Sequence, residues 1–202
     1  MRRLASTLLL VLIINVLITG CTSNNSSQSS TSQSKTVNSN KKTVISEQGS
    51  AVAPAEPPEI KIAIDGKQLE YVVAKNSWDG VMYDREDTFE TILKKTPLSS
   101  IPYIKTGSTV EIDFGDNPPD KLTVLDLLID ENGNQMYSDK EIITIPVELT
   151  DDETSFKIEK HMASALSSSS ILDKKNIRGF RIIAGWKENE CEYAFIIKSD
   201  AY

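Results

Sequence analysis

The apolar pattern changes character twice along the chain. Leu8 to Ile18 is an apolar run interrupted only by Asn15. From residue 22 to 43 the sequence is almost wholly polar, with 18 of 22 residues Ser, Thr, Asn or Gln. From about Glu59 onward, apolar side chains recur at every second position. Ile60, Ile62 and Ile64 alternate with Lys61, Ala63 and Asp65, and Val110, Ile112 and Phe114 alternate with Glu111, Asp113 and Gly115. Further strands are predicted at Leu69–Ala74, Leu122–Ile129, Ile142–Val147, Ser155–Lys160, Arg178–Trp186 and Cys191–Lys198. A side-chain period of two marks half-buried strands. The last two form a hairpin around Lys187-Glu188-Asn189-Glu190, and Asn132-Gly133 supplies another turn. In the final strand Cys191, Tyr193, Phe195 and Ile197 share one face and form the expected core side, with Glu192 and Ala194 opposite.

About eight short strands with turn-rich connections predict an all-β fold, an antiparallel β-sandwich or barrel. Two segments depart from the alternation. In Asp84–Thr96, Phe89, Ile92 and Leu93 follow helical spacing, Asp87 or Thr88 offers a cap, and Pro97 ends the element. Residues 161–172 read as a brief helix or a long loop.

The first apolar run changes the picture of where this domain resides. It follows Arg2 and Arg3 and is short of the roughly 20 residues a spanning helix needs. It ends in Leu17-Ile18-Thr19-Gly20-Cys21, which resembles the bacterial lipobox. That resemblance implies a signal peptide over 1–20, cleavage before Cys21, and acylation of its thiol. The partner is then the lipid bilayer, with the domain on the extracytoplasmic face of the cell membrane. Residues 21–57 read as the lipidated Cys and a disordered tether, and 58–202 as the sandwich. About 36 random-coil residues reach about 30–35 Å. Loss of Arg2 and Arg3 takes 22 basic residues to 20 against 29 acidic ones, and the net charge from −7 to −9. Such a balance argues against nucleic-acid binding.

Candidate chemistry is sparse. His161 is the single histidine, a residue expected at the surface or an edge, and no Gly-x-Ser-x-Gly turn accompanies it. With Cys21 acylated, Cys191 is the one thiol left and reads as a buried, inert one. Asp130-Glu-Asn-Gly-Asn134 faintly resembles a calcium loop but lacks its full ligand spacing, so it reads as a turn. Asp151-Asp152-Glu153 reads as a solvated link. No metal, cofactor or catalytic residue is expected. Trp78 and Trp186 read first as packing anchors, while Trp78, Tyr83 and Tyr103 are candidates for partner contact.

Three short motifs carry a further resemblance. They are Lys75-Asn76-Ser77-Trp78, Gly107–Phe114 followed by Pro118-Pro119, and Gly185-Trp186 leading to Glu192-Tyr193-Ala194-Phe195. Together they resemble a diffuse group of lipoproteins of low-GC Gram-positive bacteria with an immunoglobulin-like outer domain. The resemblance implies fold and location, with no catalytic residue to carry over. The Asp84–Tyr103 segment and the Ser-rich stretch before Ile171 depart from that pattern and are expected to hold any private function. The function expected is a non-catalytic binding or envelope-associated module, its partner an envelope or membrane protein. The alternatives are a sensor or accessory module, or a carboxylate-dependent hydrolase.

Overall fold

A computed structural model of the chain describes residues 53–147, 149, 154–166 and 175–201. Cys21, the signal and most of the tether lie outside the described residues, as do Asp151–Glu153 and the serines at 167–170. The chain divides into two units, Met1–Gln48 and Gly49–Tyr202, and the described residues belong to the second.

Alternation builds two antiparallel sheets. The strands are β1 (Lys61–Ile64), β2 (Lys67–Gln68), β3 (Val72–Trp78), β4 (Val81–Met82), β5 (Thr109–Asp113), β6 (Lys121–Ile129), β7 (Ile143–Ile145), β8 (Thr154–Lys157), β9 (Lys175–Trp186) and β10 (Asn189–Asp200). One sheet has the order β2-β1-β5-β8, the other β4-β3-β10-β9-β6-β7. The result is the β-sandwich expected, in keeping with an immunoglobulin-like arrangement. Of the expected Leu69–Ala74 strand only Val72–Ala74 is strand, as the start of β3. Asp65-Gly66, both at positive φ, turns Lys67–Gln68 back onto β1, and the chain then crosses to the other sheet at Val72.

Between the sheets, Ile62, Ile64, Val110, Ile112 and Phe156 meet Val124, Phe180, Ile182, Tyr193, Phe195 and Ile197. Phe180 stacks on Phe195 at 4.9 Å and on Phe156 at 5.9 Å. Cys191, Tyr193, Phe195 and Ile197 all face this core. At one end of it Arg178 makes a two-point contact with Asp126, and also donates to Glu159 O at 2.8 Å and Ser199 Oγ at 3.2 Å. Both charges are almost fully buried, which is tolerable because each is paired and hydrogen-bonded. His161 sits beside them, and its 3% exposure corrects the surface or edge position expected of it. Its Nδ1 accepts from Ala163 N and its Nε2 lies 3.2 Å from Asp126 O.

The opposite face of the six-stranded sheet is also covered. Helix α1 (Thr88–Lys95) begins at Asp87, whose side chain accepts from Phe89 N at 2.8 Å, and ends at Thr96 before Pro97. Glu90 in its first turn and Lys94 and Lys95 in its last complement the helix dipole. Phe89, Ile92 and Ile101 bury Leu127, Ile129, Ala194 and Ile196 in a second core. The Phe89 ring lies on Gly179, where a Cβ would come within 2.5 Å of it, so only glycine admits this approach. Past Ala194, where the pairing with β3 stops at Val72, Pro102 and Ile104 take up the edge of β10 through Lys198. The Asp84–Tyr103 departure is thus a covering layer.

Candidate functional site

The β3–β4 hairpin stands at one edge of the six-stranded sheet. Asp79 and Gly80, at φ +50° and +76°, form its two-residue turn; these angles suit Asp-Gly between strands of right-handed twist. Ser77 pairs with Met82 and Trp78 with Val81, and Tyr83 N donates to Asn76 O at 3.0 Å. Antiparallel alternation therefore turns the N–H and C=O of Met82 outward, to an edge that is unpaired among the described residues. Three consecutive apolar side chains are exposed there: Val81 at 52%, Met82 at 80% and Tyr83 at 42%.

The chain reaches the sandwich beside this hairpin. Trp78 Nε1 donates to Ala55 O at 2.8 Å, Tyr193 OH to Pro58 O at 2.6 Å, and Ala53 touches the inner core. Contacts to the sandwich thus already occur within residues 53–58.

Two of the cations around the hairpin, Lys75 and Arg85, already have partners. Lys75 pairs with Glu56 at 2.5 Å, and this hydrogen bond holds its ammonium above the ordinary pKa. The same ammonium lies 5.8 Å from the ring centres of Trp78 and Tyr83. Arg85 donates to Asn76 Oδ1 at 2.7 Å and Glu192 Oε2 at 3.1 Å. Glu192 also accepts from Thr88 Oγ1 at 2.5 Å, while Arg181 pairs with Asp87. This network fixes the start of α1 to the sheet. Asp79, Asp84, Glu188 and Glu190 remain exposed around the hairpin, with Lys187.

No family model, curated protein or solved structure matches the chain.

The three residues singled out for partner contact do not come together. Trp78 is 1% exposed and packs 6.0 Å from Trp186, which makes it a packing anchor. Tyr83 belongs to the exposed hairpin edge. Tyr103 lies at the other end of β10, where it bridges Lys198, donates to Asp200 at 2.7 Å and lies under Lys175. Glu190, near Tyr83, and Lys198 are eight residues apart, roughly 26 Å along a strand. Val81 and Met82 were missed because only two residues make up β4. The Asp-Gly turn before them is the signal that finds them.

Asp130 Oδ1 accepts from Asn132 N and Asn134 N, each at 2.8 Å, so the faint calcium loop is a side-chain-capped turn. Beside it, Glu90, Lys94, Glu131 and Asn134 line a hollow of about 360 Å³. Among the described residues, no three His, Cys, Asp or Glu side chains converge as metal ligands. Both ring nitrogens of His161 face backbone groups.

Proposed function

We propose that the chain is an exported lipoprotein that holds its β-sandwich outside the membrane as a non-catalytic binding module. The observation that carries this reading is the ending Leu17-Ile18-Thr19-Gly20-Cys21, set between an apolar run and a polar spacer. A small residue beside the scissile bond and a thiol just after it are what cleavage and thioether formation require. Two or more acyl chains give stable attachment where one gives only marginal affinity. The exposed hairpin edge supports the binding half of the reading, since contiguous exposed apolar side chains mark interaction sites.

Metabolic labelling with an alkyne fatty acid in a bacterial host tests the anchor. The wild-type chain takes up label and sediments with membranes. Cys21→Ser abolishes both while leaving the sandwich intact. Equal labelling of wild type and Cys21→Ser overturns the reading.

A further inference from the structure

We propose that the free edge of β4 docks an extended cationic polypeptide segment that carries apolar side chains between its basic ones. This deepens, and rests on, the reading of the domain as a binding module. Three features define the occupant. Met82 offers an outward N–H and C=O, the groups with which an added strand pairs. Val81, Met82 and Tyr83 offer apolar surface on both sides of that backbone, because successive side chains of a strand point to opposite faces.

The third feature is charge. Asp79 N donates to Asn189 Oδ1 at 2.9 Å and Ser77 Oγ to Glu188 O at 3.3 Å, which brings the tips of the two hairpins together. Glu190 pairs with Ser77, which pairs with Met82, so a carboxylate stands one strand from the apolar edge on the same face. The rim holds Asp79, Asp84, Glu188 and Glu190 against Lys187, while Lys75 and Arg85 are neutralised by Glu56 and Glu192. A negative rim around an apolar edge attracts a basic partner and repels an anionic bilayer. The charge therefore favours a polypeptide over a lipid surface.

The test titrates the full chain, in non-ionic detergent, with a short synthetic peptide of alternating Lys and Val. Binding slows hydrogen exchange at the Met82 amide. Met82→Ser weakens affinity about tenfold, as does the triple change Asp79→Asn, Asp84→Asn, Glu188→Gln, the latter chiefly at low salt. Asp139→Asn with Glu141→Gln, just before the opposite edge strand β7, leaves affinity unchanged. Thermal melting checks that each variant is folded. Three results overturn the proposal. One is equal weakening by the Asp139/Glu141 pair, which reduces binding to general charge attraction. Another is unchanged exchange at Met82 with saturating peptide. The last is slowing of that exchange by peptide-free phospholipid nanodiscs, which assigns the edge to a bilayer. The assay requires no acylation, so failure of anchoring at Cys21 and failure of docking are read separately.

Discussion

The contact between Phe89 and Gly179 makes the sharpest prediction about the fold. A methyl added at Gly179 would lie 2.5 Å from Phe89 Cζ and 2.7 Å from Cε1 and Cε2. The ring cannot yield freely, because it is 1% exposed and carries the Arg181 guanidinium 4.7 Å from its centre. Gly179→Ala therefore overpacks the second core at a cost of about 1–3 kcal/mol. Phe89→Ala empties the same site at a cost of about 3–5 kcal/mol. Once the ring is gone, Gly179→Ala loses its three nearest clashes, all of which are with Phe89. It then gains the about 0.5–1 kcal/mol by which Ala in a strand exceeds Gly. The effect of one substitution thus changes sign with the other, a coupling of about 1.5–4 kcal/mol between contacting residues. Urea unfolding followed by the fluorescence of the buried Trp78 and Trp186 reads all four chains at constant m-value. A Gly179→Ala cost that is the same with and without Phe89 would refute the placement of α1 on β9.

Other outcomes follow from the inner core and the turns. Asp126→Ala strands Arg178 in the interior and lowers stability by about 3–5 kcal/mol, whereas Asp126→Leu with Arg178→Met recovers most of it; urea midpoints of the single and double variants decide. Burial pushes the Cys191 thiol up to about 11, so it resists alkylation in mildly alkaline buffer until the protein is unfolded. Rapid labelling of the native Cys21→Ser chain would contradict this. The Asn134 side chain, and then the backbone N–H groups of Asn134 and Asn132, hold the Asp130 carboxyl below its ordinary range. With the folded value below the unfolded one, the associated stability is present above the unfolded pKa and is lost as pH falls through the folded one. NMR titration should show Asn134→Ala moving Asp130 back toward ordinary carboxylates, and an unmoved midpoint would count against the turn geometry.

Local alternation made much of this fold legible. β1, β5 and β10 bury the faces their periodicity announces, and the Asp87 cap and Pro97 stop bound α1 as expected. What alternation could not show is a second layer. Glu192, Ala194 and Ile196 lie opposite the core face of β10, yet Phe89, Ile92 and Ile101 enclose Ala194 and Ile196, and Thr88, Arg85 and Arg181 enclose Glu192. A strand covered on both faces loses its hydrophobic alternation, and nothing local announces the cover. Asp126 and Arg178 were equally opaque: 52 residues apart, they meet only through the register of β6 and β9, and His161, 35 residues from Asp126, reaches them from the connection after β8. The candidate edge was half legible. Tyr83 stood out as an aromatic, while Val81 and Met82 needed the Asp79-Gly80 turn to place them on a sheet edge.

The proposed location outside the membrane rests on Cys21 becoming the acylated first residue of the protein. Intact-mass spectrometry of the chain extracted from bacterial membranes tests it most directly. The expected mass is that of the chain from Cys21 onward plus a thioether-linked diacylglyceryl group, with the modification localised to Cys21 on fragmentation. A chain still carrying Met1–Gly20, or one with a free thiol at Cys21, would contradict it.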